Sequence, residues 1–184
     1  MTKKIVIIGP ESTGKSTLTE QLARHYQTAW VPEYARAYID GLPGEYREAD
    51  LSKIARGQLN DEDQANVVAK HQLLFLDTDL YVIKVWSEHS YQACPLWILQ
   101  EIAQRKYDLY LLTYIDVPWV NDPQREHPQP EMRQYFYHLY RDLVIHSGVP
   151  WADIRGDQST RLQTATLAIN RHLGVFPRHS TGRH

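Results

Sequence analysis

The segment from Gly9 to Ser16 combines residue types that together bind phosphate. It matches the complete pattern G-x-x-x-x-G-K-S between an apolar run, Lys4–Ile8, and a segment with helical spacing. The two glycines permit backbone angles that point amide groups at phosphate oxygens, and the helix start adds partial positive charge. Lys15 would reach the β- and γ-phosphates, and Ser16 would bind Mg²⁺. The alternative is an ordinary glycine-containing turn. The motif therefore predicts an ATP-type triphosphate site formed by Gly9, Glu11, Ser12, Thr13, Gly14, Lys15, Ser16 and Thr17.

Two acids, Asp77 and Asp79, end the apolar run that starts near His71. An uncompensated carboxylate at the end of a buried strand is costly, so we expect a metal ion or a substrate hydroxyl to offset that cost. Asp77 is placed to hold Mg²⁺ through water. Asp79 either contacts the substrate or caps the following helix.

Glu33 and Arg36 follow a short predicted strand, Thr28–Val31. A carboxylate at this place can accept the proton of an attacking hydroxyl or bind a sugar diol, and the arginine can hold a phosphate. The alternatives are a helix-start acid favoured by the helix dipole and a surface ion pair between the two side chains. Trp30 either stacks on a flat ring of the acceptor or belongs to the core.

Residues 117–130 contain four prolines among polar and charged residues, which predicts a loop. Arg125 lies in this loop and Arg133 just beyond it. Arginines on a loop that closes over a site can stabilise the charge that develops during phosphoryl transfer. The alternative is a solvated charged loop. The phosphate loop upstream favours the interpretation as a lid.

The elements that must position these residues are strands alternating with helices, a pattern typical of a parallel sheet with right-handed crossovers. We predict an α/β fold, a three-layer P-loop NTPase with a five-stranded parallel sheet and a lid loop, nucleoside-kinase-like. Glu33, Asp77, Asp79 and Asp116 then lie at the carboxyl ends of the strands, where ligands of such sheets bind. The spacing also predicts a helix over 51–70 that is capped by Asp50. A break of this helix at Gly57 is the alternative. One domain is expected over 1–176, followed by a disordered tail over 177–184.

Charge and composition exclude several classes of protein. The net charge of -2 with 23% charged residues gives no indication of a nucleic-acid surface or a basic membrane patch. No stretch is long enough to span a membrane, and the apolar run after Lys4 is too short for a signal sequence. A single cysteine, Cys94, excludes an internal disulfide, and the histidines lack zinc-site spacing. We expect a cytoplasmic protein that acts on a small molecule, and its oligomeric state is left open.

Three motifs give the chain a resemblance to a known family. The phosphate loop is followed by W-x-P-E-Y-A-R over Trp30–Arg36, by D-T-D over Asp77–Asp79, and by P-W-x-x-D with Arg125 in the lid. This combination resembles the ribosylnicotinamide kinase domain of NadR-like proteins, over about residues 3–173. The phosphate loop is common to many ATPases, whereas the three later motifs together are much more specific.

The resemblance implies that the γ-phosphoryl group of ATP is transferred to the 5′-hydroxyl of nicotinamide riboside, giving nicotinamide mononucleotide, with Mg²⁺ as cofactor. Either Glu33 or Asp79 would then orient the acceptor hydroxyl. Carried over by position, the implied roles are phosphate and metal binding by Lys15, Ser16 and Asp77; acceptor binding by Trp30, Glu33, Tyr34, Arg36, Asp79 and Trp119; charge stabilisation by Arg125 and Arg133; and an adenine border formed by Asp157 and Arg161.

The chain departs from the family pattern in three places. It starts at the kinase strand, without the adenylyltransferase domain of many members, so it is not expected to make NAD by itself. Val31 and Pro32 are two residues that some members lack, and Asp122-Pro123 replaces an expected aspartate-glycine pair. Two alternatives stay open: a kinase for another nucleoside or vitamin, and a nucleotide-hydrolysing regulatory or interaction module. The absence of a matching N-K-x-D motif disfavours a GTPase.

Overall fold

The structure, a computed structural model, describes residues 1–69 and 73–177. Its strands are β1 (Lys3–Ile8), β2 (Trp30–Val31), β3 (Leu73–Asp77), β4 (Leu109–Thr113) and β5 (Trp151–Ile154). Its helices are α1 (Lys15–Tyr26), α2 (Tyr34–Asp40), α3 (Glu48–Val68), α4 (Leu80–Tyr91), α5 (Leu96–Gln104), α6 (Pro130–His146) and α7 (Gln158–Leu173).

The five strands form one parallel sheet in the order β2-β3-β1-β4-β5. This confirms the predicted α/β architecture. The first strand is central, and its residue Ile7 pairs with Asp77 on one side and with Leu111 on the other. The carboxyl ends of β1 and β3 are therefore neighbours, which brings the phosphate loop beside Asp77.

Helices cover both faces of the sheet, as the unbroken apolar run of β1 predicts. Because side chains alternate along a strand, Ile5 and Ile7 pack under α1 and α7, whereas Val6 and Ile8 pack against α4 and α6. A third apolar cluster joins helices α2, α3, α4 and α5 beside the sheet. The carboxyl edge of the sheet remains available for ligands.

Helix α3 differs from its prediction in two ways. It begins at Glu48, and Asp50 lies inside its first turn, where its carboxylate accepts the Arg47 backbone N–H at 2.9 Å. The helix is also continuous through Gly57, and the absence of a side chain there makes room for Tyr34. A Cβ at position 57 would lie 2.2 Å from the Tyr34 ring. The glycine therefore serves packing and causes no break.

Some predictions fall outside the described residues. The tail predicted over 177–184 does so except for Pro177, and so do His71 and Gln72 at the start of the third predicted strand. Within residues 1–69 and 73–177, no helix combines the length and apolar character needed to cross a bilayer. The second strand is shorter than predicted, because only Trp30 and Val31 pair with β3.

Gly9 is the position in the phosphate loop where a side chain cannot fit. Its φ of 149° is unfavourable for other residues, and a Cβ would lie 2.4 Å from Thr113 Oγ1 and 2.7 Å from the Thr113 carbonyl oxygen. We expect Gly9→Ala to lower the free energy of unfolding by about 3 kcal/mol. Gly44→Ala is the matched control, since a Cβ at that position would meet no atom within 4 Å among the described residues. Equal denaturant midpoints for the two variants would contradict this assignment.

Candidate active site

The phosphate loop connects the end of β1 to the start of α1. Gly14 occupies the N-cap position of α1 with φ 77°, as the motif predicts. The buried Thr13 hydroxyl donates to the Pro10 carbonyl oxygen at 2.8 Å and lies 2.7 Å from the Thr113 hydroxyl, which fixes the loop to β4. The Lys15 ammonium donates to the same Pro10 oxygen at 2.8 Å. The loop is therefore preorganised around its lysine.

A pocket of about 220 Å³ extends from this loop toward α2, α4 and the lid. It brings together many of the residues predicted from sequence, namely Glu11, Ser12, Thr13, Gly14, Lys15, Ser16, Thr17, Glu33, Arg36 and Arg125. Phosphate-binding and acceptor-side residues thus share one cavity.

Asp77 is buried beside the loop and has an unpaired oxygen. Its side chain is 1% exposed, and its Oδ1 has no hydrogen-bond partner among residues 1–69 and 73–177. Burial raises the pKa of Asp77 and the Glu33 carboxylate adds to the rise, whereas Lys15 and Ser16 oppose it. No group of three or more His, Cys, Asp or Glu side chains that could hold a metal occurs in the described part of the chain. One hydroxyl and one carboxylate fit Mg²⁺, which keeps its remaining positions for phosphate and water.

Glu33 and Arg36 line the pocket from the α2 side, where α2 meets the lid loop. Glu33 is at the N-cap of α2, and its side chain makes no capping hydrogen bond to the described helix. The Arg36 guanidinium pairs with Asp122 of the lid at 2.8 Å, which raises the pKa of Arg36. The alternative ion pair between Glu33 and Arg36 is not among the contacts of the described residues. Arg36 instead connects the acceptor side to the lid.

The lid loop, residues 117–129, lies over the phosphate loop. Arg125 donates to the Ser12 hydroxyl at 3.1 Å and lines the pocket. Arg133 is buried in the first turn of α6, where it donates to the carbonyl oxygens of Ser12 at 3.3 Å and Val117 at 3.2 Å. Its guanidinium carbon lies 5.7 Å from the centre of the Trp119 ring, and burial lowers the pKa of Arg133. Neither Arg133 nor Trp119 lines the pocket.

Three predicted acceptor residues point elsewhere. Asp79 caps α4 by accepting from Tyr81 N at 2.9 Å, and its other oxygen accepts from the Tyr110 hydroxyl at 2.7 Å. Burial raises the pKa of Asp79 to about 7. Trp30 packs against the core under α1 and α7, and Tyr34 packs over Gly57. Asp79 therefore has its capping alternative and Trp30 its core alternative, and Tyr34 packs against α3.

The two residues predicted to border adenine lie behind the phosphate loop. Asp157 caps α7 by accepting from Thr160 N at 2.8 Å. Arg161 is buried and donates to the carbonyl oxygens of Thr13 at 2.7 Å and Tyr114 at 2.9 Å, and to the Asp116 carboxylate. Neither residue lines the pocket. Arg161 therefore fastens the phosphate loop to the neighbouring strand ends.

An aromatic wall, formed by Trp86, His89, His127, Phe136 and Tyr140, was not predicted from sequence. The His127 ring lies 4.9 Å from Phe136 and 5.1 Å from His89 between centres. Val82, Trp86 and His89 have the i, i+4, i+7 spacing of one helix face. This spacing is the feature of the sequence that could have indicated that all three side chains of α4 line one surface. The wall lines the same cavity as Lys15.

Comparison with curated proteins finds relatives of this chain among NadR proteins. The chain is 26% identical over 179 residues to the trifunctional NAD biosynthesis/regulator protein NadR of Salmonella typhimurium and 27% identical to that of Escherichia coli. It covers 43% of each, so it spans less than half the length of these relatives. The predicted resemblance to NadR-like proteins is confirmed.

Solved structures share the fold. A NadR protein in complex with NR superposes with a TM-score of 0.82 at 24% identity, over 98% of this chain and 54% of that one. Thymidylate kinase from Candida albicans gives 0.65 at 13% identity, over 92% and 91% of the two chains. The AAA domain profile matches residues 4–161. The chain, with its phosphate loop, buried strand-end aspartate and parallel sheet, belongs to the AAA domain family.

Proposed function

We propose that residues 1–176 form an ATP-dependent kinase that phosphorylates the 5′-hydroxyl of nicotinamide riboside, giving nicotinamide mononucleotide. The observation that carries this proposal is the single cavity that joins the phosphate loop to Glu33, Arg36 and the aromatic wall. A hydrolase needs only room for water beside the phosphates. A cavity that continues from the phosphate loop to acidic, basic and aromatic side chains supports transfer to a bound acceptor.

Glu33 is the carboxylate we assign to the acceptor hydroxyl. It lines the cavity with Lys15 and Ser16, whereas both oxygens of Asp79 are engaged by Tyr81 and Tyr110 outside it. Accepting the hydroxyl proton, or orienting the hydroxyl, requires hydrogen-bond reach of the substrate. Lys15 and Arg125 would face the transferred group and neutralise its oxygens. Mg²⁺ held by Ser16 and Asp77 would supply further positive charge to the phosphates.

The aromatic wall supports a positively charged flat ring as the acceptor's base. Nicotinamide riboside carries a pyridinium ring, and aromatic faces attract cations. Three acidic residues, Glu11, Glu33 and Glu126, line the same cavity together with Lys15, Arg36 and Arg125. The resemblance to NadR, of which a solved structure contains NR, points to the same acceptor.

A nucleoside panel tests the acceptor directly. ADP release is measured with ATP and Mg²⁺ in the presence of nicotinamide riboside, nicotinic acid riboside, thymidine, deoxyadenosine or no acceptor. We expect nicotinamide riboside to stimulate ADP release by at least about a hundred-fold over background, because transfer needs an oriented hydroxyl. If only another nucleoside stimulated ADP release, that nucleoside would replace nicotinamide riboside as the proposed acceptor. If none of them did, the kinase assignment would be rejected.

A further inference from the structure

The Glu11 side chain belongs to the phosphate loop but contacts the lid. Its Oε2 accepts two consecutive backbone N–H groups, from Glu126 at 3.0 Å and from His127 at 3.2 Å. Hydrogen bonds to a charged acceptor are stronger than those between neutral groups. A carboxylate that faced a triphosphate would repel it, and the two lid amides that Glu11 accepts lessen that repulsion.

His127 is where this contact reaches the acceptor side. Its backbone is held by Glu11, while its ring packs against Phe136 and His89 in the aromatic wall. The remainder of the lid has separate attachments. Ser12 Oγ accepts from Val120 N at 3.0 Å, and the lid's Asp122 pairs with Arg36. Loss of the Glu11 contact would therefore free the backbone N–H groups of Glu126 and His127, while other parts of the lid stay anchored.

We propose that Glu11 is a positioning residue for the acceptor pocket: through the amides of Glu126 and His127 it sets the aromatic wall against which the acceptor ring rests. This positioning role concerns acceptor binding, because Glu11 holds the backbone of His127, which belongs to the aromatic wall. It rests on the proposed kinase function for its kinetic consequence. The contact itself is independent of that function.

Hydrogen exchange of the ligand-free protein tests the contact alone. Glu11→Ala removes the acceptor oxygen, whereas Glu11→Gln retains an amide oxygen that can accept the same two N–H groups. We expect exchange of the Glu126 and His127 amides to accelerate by about ten-fold in the alanine variant, and little in the glutamine variant. Glu20→Ala, on the exposed side of α1, should leave these amides unchanged. Unchanged exchange in Glu11→Ala would overturn the proposal.

Kinetics test the acceptor-specific consequence. We expect Glu11→Ala to raise KM for nicotinamide riboside by about ten-fold, within the usual range of coupling between sites, and by a larger factor than the KM for ATP. Glu11→Gln should restore most of the acceptor KM. An equal rise in both KM values would overturn the positioning role, because it would indicate general damage to the loop. Absence of acceptor-dependent activity in the wild-type protein would instead reject the proposed function, and hydrogen exchange would still decide whether Glu11 holds the lid.

Discussion

Replacing Lys15 with alanine is expected to lower kcat for phosphoryl transfer by at least about a thousand-fold, because the ammonium group would offset charge on the transferred phosphoryl oxygens. The side chain lines the cavity beside Ser16 and Glu33 and is aligned by its contact with the Pro10 carbonyl oxygen. Alanine keeps the helix start intact but leaves no positive charge at this point. Folding should be preserved, since α1 is anchored by its buried residues Leu18 and Leu22.

The measurement is single-turnover transfer at saturating ATP, with thermal unfolding recorded in parallel. Lys53→Ala serves as the matched control, because this lysine is exposed on α3 and pairs with Asp50 away from the cavity. We expect wild-type rates for the control. Retained turnover in a folded Lys15→Ala variant would remove the basis for assigning the phosphate loop to catalysis.

Asp77→Asn should lower activity by a factor of about a hundred to a thousand and, without ligands, make the protein more stable. The first effect follows from the loss of a charged ligand for Mg²⁺. The second follows from burial: an ionised carboxylate whose Oδ1 lacks a partner among the described residues is costly to keep inside the fold. Active sites commonly retain such destabilising groups for function. We therefore expect Asp77→Asn to lower the activity and to raise the free energy of unfolding.

Acceptor-dependent ADP release measures the activity, and denaturant unfolding at pH 8, with and without MgATP, measures the stability and the binding of MgATP. The variant should be more stable by about 1 kcal/mol without ligand and should gain less stability than the wild type when MgATP is added. Asp142→Asn, at an exposed position of α6, is the control for the substitution itself. A destabilised variant that binds MgATP as tightly as the wild type would show that Asp77 has a structural role alone.

The phosphate loop could be predicted from sequence because its determinants are local. Glycine positions, the lysine and the serine are fixed by spacing within eight residues, and their surroundings follow from the strand before and the helix after. Asp77 could be predicted for a similar reason, since a strand end specifies its place at the sheet edge. Both predictions depend on short stretches of chain.

Side-chain direction was harder to predict. The observed β2 contains two residues, so alternation places Trp30 on the face under α1 and α7, while Val31 faces the other cluster. Sequence indicated that Trp30 lay near the strand's end but not which face it took. Asp79 was equally ambiguous, because its buried orientation depends on a hydrogen bond from Tyr110 of the distant strand β4.

The aromatic wall could not be assembled from sequence, because its members come from α4, the lid and α6. Trp86, His127 and Phe136 are far apart along the chain and meet only when the lid lies against both helices. Local residue patterns indicated the phosphate loop and the lid arginine Arg125. They missed the wall, since pocket shape depends on packing between elements and not on any single motif.

Transfer of radioactive label from the γ-phosphate of ATP to nicotinamide riboside tests the central claim most directly. The wild-type protein is incubated with γ-labelled ATP, Mg²⁺ and nicotinamide riboside, and the products are separated. We predict that the label appears in nicotinamide mononucleotide and that this product is lost with Lys15→Ala. Label released only as inorganic phosphate, at a rate that ignores the acceptor, would contradict the kinase assignment and favour a nucleotide-hydrolysing module.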